Sequence, residues 1–142
     1  MNSSTAVGLR SGDTWLPPRK LYVLVRADLT PGQQLAQSSH AALRLALALD
    51  RETREWRDGG EVIVILSVPD EMTLVRYQRQ ARTSGVPCRS FREPDMDHAH
   101  TAVAFLPQPE ECDMFKDLSL ALRPKGRRGR RWRRWQRNFQ GS

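Results

Sequence analysis

The stretch Leu21-Tyr-Val-Leu-Val25, followed by Asp28-Leu-Thr-Pro-Gly-Gln-Gln-Leu-Ala-Gln-Ser-Ser-His40-Ala-Ala42, decides the fold of this chain. The five apolar residues read as a buried strand. Thr30-Pro31-Gly32 is a turn, and the polar residues after it open a long helical pattern. A strand, a Pro-Gly turn and a helix with a polar start are how an α/β domain presents chemistry at a sheet edge. Gln33, Gln37 and His40 are spaced by four and three, which puts them on one helical stripe, and Arg44 extends it. Leu35, Ala42, Ala46 and Leu49 make an opposite, apolar stripe expected to face the core. The polar stripe has two readings. One is the solvated side of a helix, with His40 a hydrogen-bonded packing residue. The other is a functional face.

Working outward, strand one is expected from about Lys20 to Ala27 and helix one from about Gly32 to Trp56, broken by Asp58-Gly59-Gly60. Val62-Ile-Val-Ile-Leu66 is a second continuous apolar run, of the kind buried on both faces. Helix two starts at Pro69-Asp70-Glu71, with acidic residues where the helix dipole favours them, and ends at Ser84-Gly85. Its Met72, Val75, Arg79 and Arg82 keep helical spacing. Cys88–Phe91 is a short strand. A polar loop runs from Glu93 to His100, and Thr101–Leu106 is the last strand, closed by Pro107. A helical or turn segment is expected near Glu110–Leu118. The order β-α-β-α-β-β implies a three-layer α/β/α sandwich on a small four-stranded mixed sheet, with right-handed crossovers.

At 142 residues the chain is one domain with a modest core. Residues 1–19 read as a flexible leader, with Trp15 available to dock on the body. Residues 20–122 form the domain, and 123–142 a basic tail. Nine of the 23 Lys and Arg lie from Arg123 onward, where there is no Asp or Glu. The remaining 14 face 16 acidic residues, so the body carries about −2 and the net charge of +7 belongs to the tail. Two cysteines, Cys88 and Cys112, give neither a disulfide framework nor a CxxC metal site, and a reduced, cytoplasmic setting fits them. No signal peptide and no membrane-spanning run is expected.

The loop Glu93-Pro-Asp-Met-Asp-His-Ala-His100 holds three carboxylates and two histidines. His98 and His100 would share a strand face, but no third ligand with metal-site spacing accompanies them. Glu93 stands at a strand end beside a proline, where a carboxylate can be aimed at a cleft. If this loop lies at the same sheet edge as helix one, then Glu93, Asp95, Gln37 and His40 surround one cleft. Hydrolysis of an ester needs a base for water and donors for an oxyanion. Glu93, Asp95 or His40 can supply the base, and Gln33, Gln37 and the free amides of the helix start can supply the donors. No GxSxG elbow and no Cys–His neighbour is present, so water is the expected nucleophile. In the tail, Arg127, Arg128, Arg130, Arg131, Trp132, Arg133, Arg134 and Trp135 combine guanidinium groups that pair with phosphate and indoles that stack on bases. RNA is the expected partner of the tail. A non-specifically sticky end or a membrane-surface helix are the other readings.

These segments resemble the type II peptidyl-tRNA hydrolase family, as a divergent member of a bacterial or phage-like branch. Leu21–Val25 followed by Arg26-Ala-Asp28-Leu is similar to the family's strand and its Arg-x-Asp-Leu ending. Gly32-Gln-Gln-Leu-Ala-Gln37-Ser-Ser-His40-Ala-Ala resembles the family's Gly-Lys-x-x-Ala-Gln-x-Ser-His-Ala-Ala. Glu93-Pro-Asp95 and Thr101-Ala-Val-Ala-Phe-Leu-Pro107 more loosely resemble its Asp-Ala-Gly loop and final strand. The resemblance implies hydrolysis of the ester joining a peptide to tRNA, without a metal or other cofactor, on an α/β sandwich with a four-stranded mixed sheet. It implies tRNA or peptidyl-tRNA as partner, no membrane, and homodimer formation. It points to Glu93, Asp95 and His40 as catalytic, and to Asp28, Gln33, Gln37, Ser39 and Thr101 as substrate-binding. Gln33 stands where the family has a lysine, and Glu93 where it has aspartate. The family's loop threonine has no clear counterpart, Thr101 lying further along. The alternative is an RNA-binding protein on the same fold that does not cleave.

Overall fold

A computed structural model describes residues 18–123. The leader with Trp15, and the tail with Arg127 to Trp135, lie outside the described residues. Five strands form one sheet: β1 (Leu21–Arg26), β2 (Ile63–Val68), β3 (Cys88–Glu93), β4 (Ala99–Phe105) and β5 (Ser119–Leu120), in the order β3-β4-β1-β2-β5. Only β1 and β2 run parallel, with Leu24 opposite Leu66, and the remaining pairs are antiparallel. Three α-helices join them: α1 (Pro31–Ala48), α2 (Arg54–Asp58) and α3 (Glu71–Thr83). The mixed α/β architecture is the expected one, but the sheet has five strands rather than four. The fifth is two residues long, too short to leave a period in the sequence, and it pairs with the outer side of β2 through Leu120 and Ser119.

Strand alternation splits the core into two layers. Leu21, Val23 and Val25 face α1, packing with Ala41, Leu45, Ala102, Ala104 and Leu106. Leu24, Val103 and Phe105 point the other way, against Leu74 and Ala81 of α3 and against Phe115. Leu45 and Leu74 are fully buried, and each such side chain contributes about 1.5–3 kcal/mol.

The turn Thr30-Pro31-Gly32 starts α1 through a capping box. Gln33 N donates to Thr30 Oγ1 at 3.3 Å, and Thr30 N donates to Gln33 Oε1 at 3.0 Å. The phase of α1 differs from the expected one. Its sheet-facing residues are Gln34, Gln37, Ser38, Ala41 and Leu45. Ala42 and Leu49 flank this stripe and touch the core, whereas Leu35 is 56% exposed. An apolar stripe orients a helix only where it outweighs the polar residues that find partners in the interior, and in the first two turns of α1 the polar residues do.

The helix also ends earlier than expected. After Ala48 the chain turns, Thr53 Oγ1 donates to Leu49 O at 2.8 Å, and α2 begins at Arg54. Neither Gly nor Pro marks this break. Thr53 is buried, and the turn brings Trp56 into the core, where its Nε1 donates to Val62 O at 2.8 Å.

One irregularity governs the site. In β3–β4, Phe91 pairs with Ala102 but Arg92 pairs with His100, which leaves Thr101 as an extra residue in β4. Such a bulge shifts the alternation and re-aims side chains. Thr101 therefore joins Ala102 on the α1 side, and His100 turns to the α3 side.

Candidate active site

The C-terminal ends of β1 and β3 and the N-terminal end of β4 lie at one end of the sheet, because β1 and β3 are both antiparallel to β4. The start of α1 follows directly from β1, so Gln37 reaches this end from the layer above. Thr101 Oγ1 donates to Gln37 Oε1 at 2.7 Å, and Gln37 Nε2 donates to Glu93 Oε2 at 2.7 Å. Thr101 is fully buried and Gln37 nearly so. The threonine fixes which end of the amide is the acceptor, and therefore which end presents N–H to the carboxylate. Glu93 Oε1 accepts from Asp95 N at 3.2 Å, since Glu93 caps a 3₁₀ turn over Pro94–Met96.

These bonds set the charge. Donation from Gln37, then from Asp95 N, holds the Glu93 carboxyl below the usual glutamate value of 4.5; burial opposes this, and proximity to His40 adds to it. Glu93 is therefore an anion at neutral pH, with free lone pairs facing solvent. The His40 ring stacks on Phe91, with centroids 4.5 Å apart and an 18° interplanar angle. The Arg44 guanidinium lies 5.0 Å from the same ring. Among the described residues, His40 is thus oriented by an aromatic neighbour rather than by a hydrogen bond.

Of the residues singled out in the sequence, Glu93, Gln37, Thr101 and His40 come together. Asp95 joins through its backbone N–H, and its side chain is exposed. Gln33 is one turn before Gln37, but its Oε1 serves the helix cap. Ser39 donates to Leu35 O at 2.9 Å on the exposed side of α1. Asp28 is held by Arg26 through two bonds of 2.9 and 2.8 Å, and this partner keeps its carboxyl below the usual range. Arg26 also donates to His100 O at 3.2 Å and lies 3.7 Å from Glu71, so it braces β1, β4 and the start of α3.

The α3 side of the same strands carries a second polar arrangement. Ser90 Oγ and His100 Nδ1 are 2.6 Å apart, and Arg92 Nε and Nη2 reach His100 Nε2 at 3.2 and 3.1 Å. A guanidinium can only donate, so Nε2 is the bare nitrogen and the proton sits on Nδ1, donated to Ser90. His100 cannot then take the Ser90 proton through Nδ1, and the pair is not a nucleophilic dyad. Burial, then Arg92, hold the His100 pKa below its usual value, with Glu71 opposing and Arg82 adding to the shift. The expected shared face of His98 and His100 does not form. His98 lies in a left-handed turn with φ of 58°, before β4 begins. Among the described residues, no group of three or more His, Cys, Asp or Glu is placed to hold a metal ion.

The sequence model of the family described as "Peptidyl-tRNA hydrolase PTH2" matches residues 19–121. A peptidyl-tRNA hydrolase of Methanocaldococcus jannaschii is 32% identical over 104 residues, covering 65% of this chain and 89% of that protein. One from Halobacterium salinarum is 31% identical over 101 residues, covering 64% and 88%. The mouse mitochondrial peptidyl-tRNA hydrolase 2 is 34% identical over 73 residues, covering 47% and 40%.

Proposed function

The chain belongs to the peptidyl-tRNA hydrolase PTH2 family, and from that premise we propose that it hydrolyses the ester of peptidyl-tRNA, releasing peptide and free tRNA, through the cluster of Thr101, Gln37 and Glu93. The observation that carries the reading is the hydrogen-bonded chain of two 2.7 Å bonds ending on an ionised carboxylate. In this reading Glu93 takes a proton from an attacking water, which adds to the ester carbon. The tetrahedral intermediate collapses with the ribose oxygen of tRNA leaving and receiving a proton. Glu93 accepts through lone pairs that Gln37 and Asp95 N leave free. Gln37 keeps its second amide hydrogen for the substrate carbonyl, and Thr101 holds the amide in that orientation. His40, stacked on Phe91, is the donor to the leaving oxygen. Asp95 is the alternative carboxylate. Gln33 and Ser39 contribute exposed contacts to the substrate, and Asp28, tied to Arg26, positions the end of β1. No metal is assigned a part in the step.

Purified protein and labelled peptidyl-tRNA test the reading. Peptide release well above buffer, lost in Glu93→Gln with tRNA binding retained, is the expected result. Binding without release in the wild type would leave only the non-cleaving alternative. The proposed setting is the cytoplasm, supported by peptidyl-tRNA being a product of translation. No helix among the described residues is long and apolar enough to cross a membrane. Residues 20–122 are proposed as the catalytic domain and residues 123–142 as an added RNA-binding tail. A homodimer is the proposed assembly, tested by sedimentation at micromolar concentration.

A further inference from the structure

Behind edge strand β3, on the side away from Glu93, α3 and β3 enclose an open groove of about 760 Å³. Four arginines line it: Arg79 and Arg82 from α3, and Arg89 and Arg92 from β3. All four are exposed, no carboxylate lines the groove, and none of the four forms an ion pair among the described residues. A body with net charge of about −2 thus gathers four uncompensated guanidinium groups on one concave surface. Gly85, at φ of +76°, makes the turn between α3 and β3, and Arg82 before it and Arg89 after it both line the groove. His100 lies at the same wall.

We propose that this groove binds the phosphate backbone of the RNA stem whose ester end enters the Glu93 site. The inference rests on the hydrolase reading for the identity of the RNA. Uncompensated arginines on an open polar groove suit a polyanion better than a small apolar ligand, because guanidinium groups pair with phosphate bidentately and a groove tracks a chain. Continuity with the site favours RNA over other polyanions. Arg92 and Glu93 are consecutive in β3, which among the described residues is an edge strand with no neighbour beyond it. An RNA backbone lying along the groove therefore passes its end around this open edge to the carboxylate. The exposed β3 edge is the passage between them.

The test measures binding of deacylated tRNA to the full chain as a function of salt, which needs no cleavage. Combined Arg79→Gln, Arg82→Gln and Arg89→Gln should weaken binding by on the order of tenfold or more and lower the salt slope by about two to three, about one per lost phosphate contact. Lysine at the same three positions should restore most of the slope, because the charge remains. In peptidyl-tRNA cleavage the loss should fall on KM. In the wild type, bound tRNA should shield these arginines from phenylglyoxal, a readout that requires no variant. Unchanged affinity and slope, or equal modification with and without tRNA, would overturn the proposal. Displacement of tRNA by inorganic phosphate at ionic strengths where chloride is inert would also overturn it, by showing a site for isolated phosphate. A wild type that binds tRNA through the groove but releases no peptide would remove the hydrolase reading and leave the groove standing.

Discussion

On the α1 side of the β3–β4 edge, Thr101, Gln37 and Glu93 form a closed chain of hydrogen bonds in which nearly every polar atom has a partner and the last one is an anion. On the α3 side of the same two strands, four guanidinium groups line a groove beside a neutral histidine, and the carboxylate at that histidine, Glu71, accepts from its backbone N–H at 3.2 Å and faces Arg26. The two arrangements share a backbone and differ by the one extra residue at Thr101, which sends the threonine to one face and His100 to the other. A single bulge thus sends Thr101 toward the Glu93 carboxylate and His100 toward the arginine groove. Glu93 and the groove's Arg92 therefore lie on opposite faces of β3.

The largest effect is expected at Glu93. Glu93→Gln keeps the shape and the donor from Gln37 but removes the base, and kcat should fall by roughly 10²–10⁴, measured on peptidyl-tRNA under saturating conditions. Full activity in this variant would end the assignment of roles to the α1 face.

Next comes Thr101→Val, which leaves Gln37 Oε1 buried without its donor. The cost should be about 1–3 kcal/mol in denaturant unfolding, and turnover should drop by about tenfold as the amide loses its fixed orientation. A variant with unchanged kcat would show that the threonine only packs.

The two faces should also separate in acid. The folded pKa of His100 is lowered, so the unfolded chain binds that proton first and stability declines as pH falls below 6.5. Glu93 is also lowered, but from 4.5, so its contribution is present above that value and is lost as pH falls through the folded pKa. The melting temperature should fall in two stages, and His100→Gln should remove the upper stage alone. The acid limb of kcat should coincide with the lower one. A single transition in both melting and activity would count against the separation.

The smallest effect is expected at Ser38, beside Gln37 on the same buried stripe. Its hydroxyl has no partner among the described residues and borders a cavity of about 70 Å³. Ser38→Ala should leave stability unchanged or raise it by up to about 1 kcal/mol in thermal unfolding, since a buried unpaired hydroxyl costs more than it contributes. A clear loss would reveal a partner for this hydroxyl, and the α1 face would then be fully paired.

Elements whose causes are local were legible in the residues alone. The apolar run Leu21–Val25, the capping box at Thr30 and Gln33, the Asp70 cap of α3 and the Gly85 stop all lie within a few residues of what they control. Family membership was legible for the same reason, because the Gly32–Ala42 motif is contiguous. The meeting of Gln37 with Glu93 was conditional in the sequence on the Glu93 loop sharing a sheet edge with helix one, and the antiparallel pairing of β4 with both β1 and β3 met that condition. Tertiary structure decided the rest. The phase of α1 depended on Thr101, 64 residues from Gln37, which gave a buried amide its partner and turned Leu35 outward. The break after Ala48 depended on a place for Trp56 in the core. The bulge depended on the register between β3 and β4. Gathering Arg79, Arg82, Arg89 and Arg92 into one groove required α3 to lie against the edge strand. Local patterns report what a segment does for itself, while a buried polar residue or a shared groove is set by partners that only the folded chain brings within hydrogen-bonding distance.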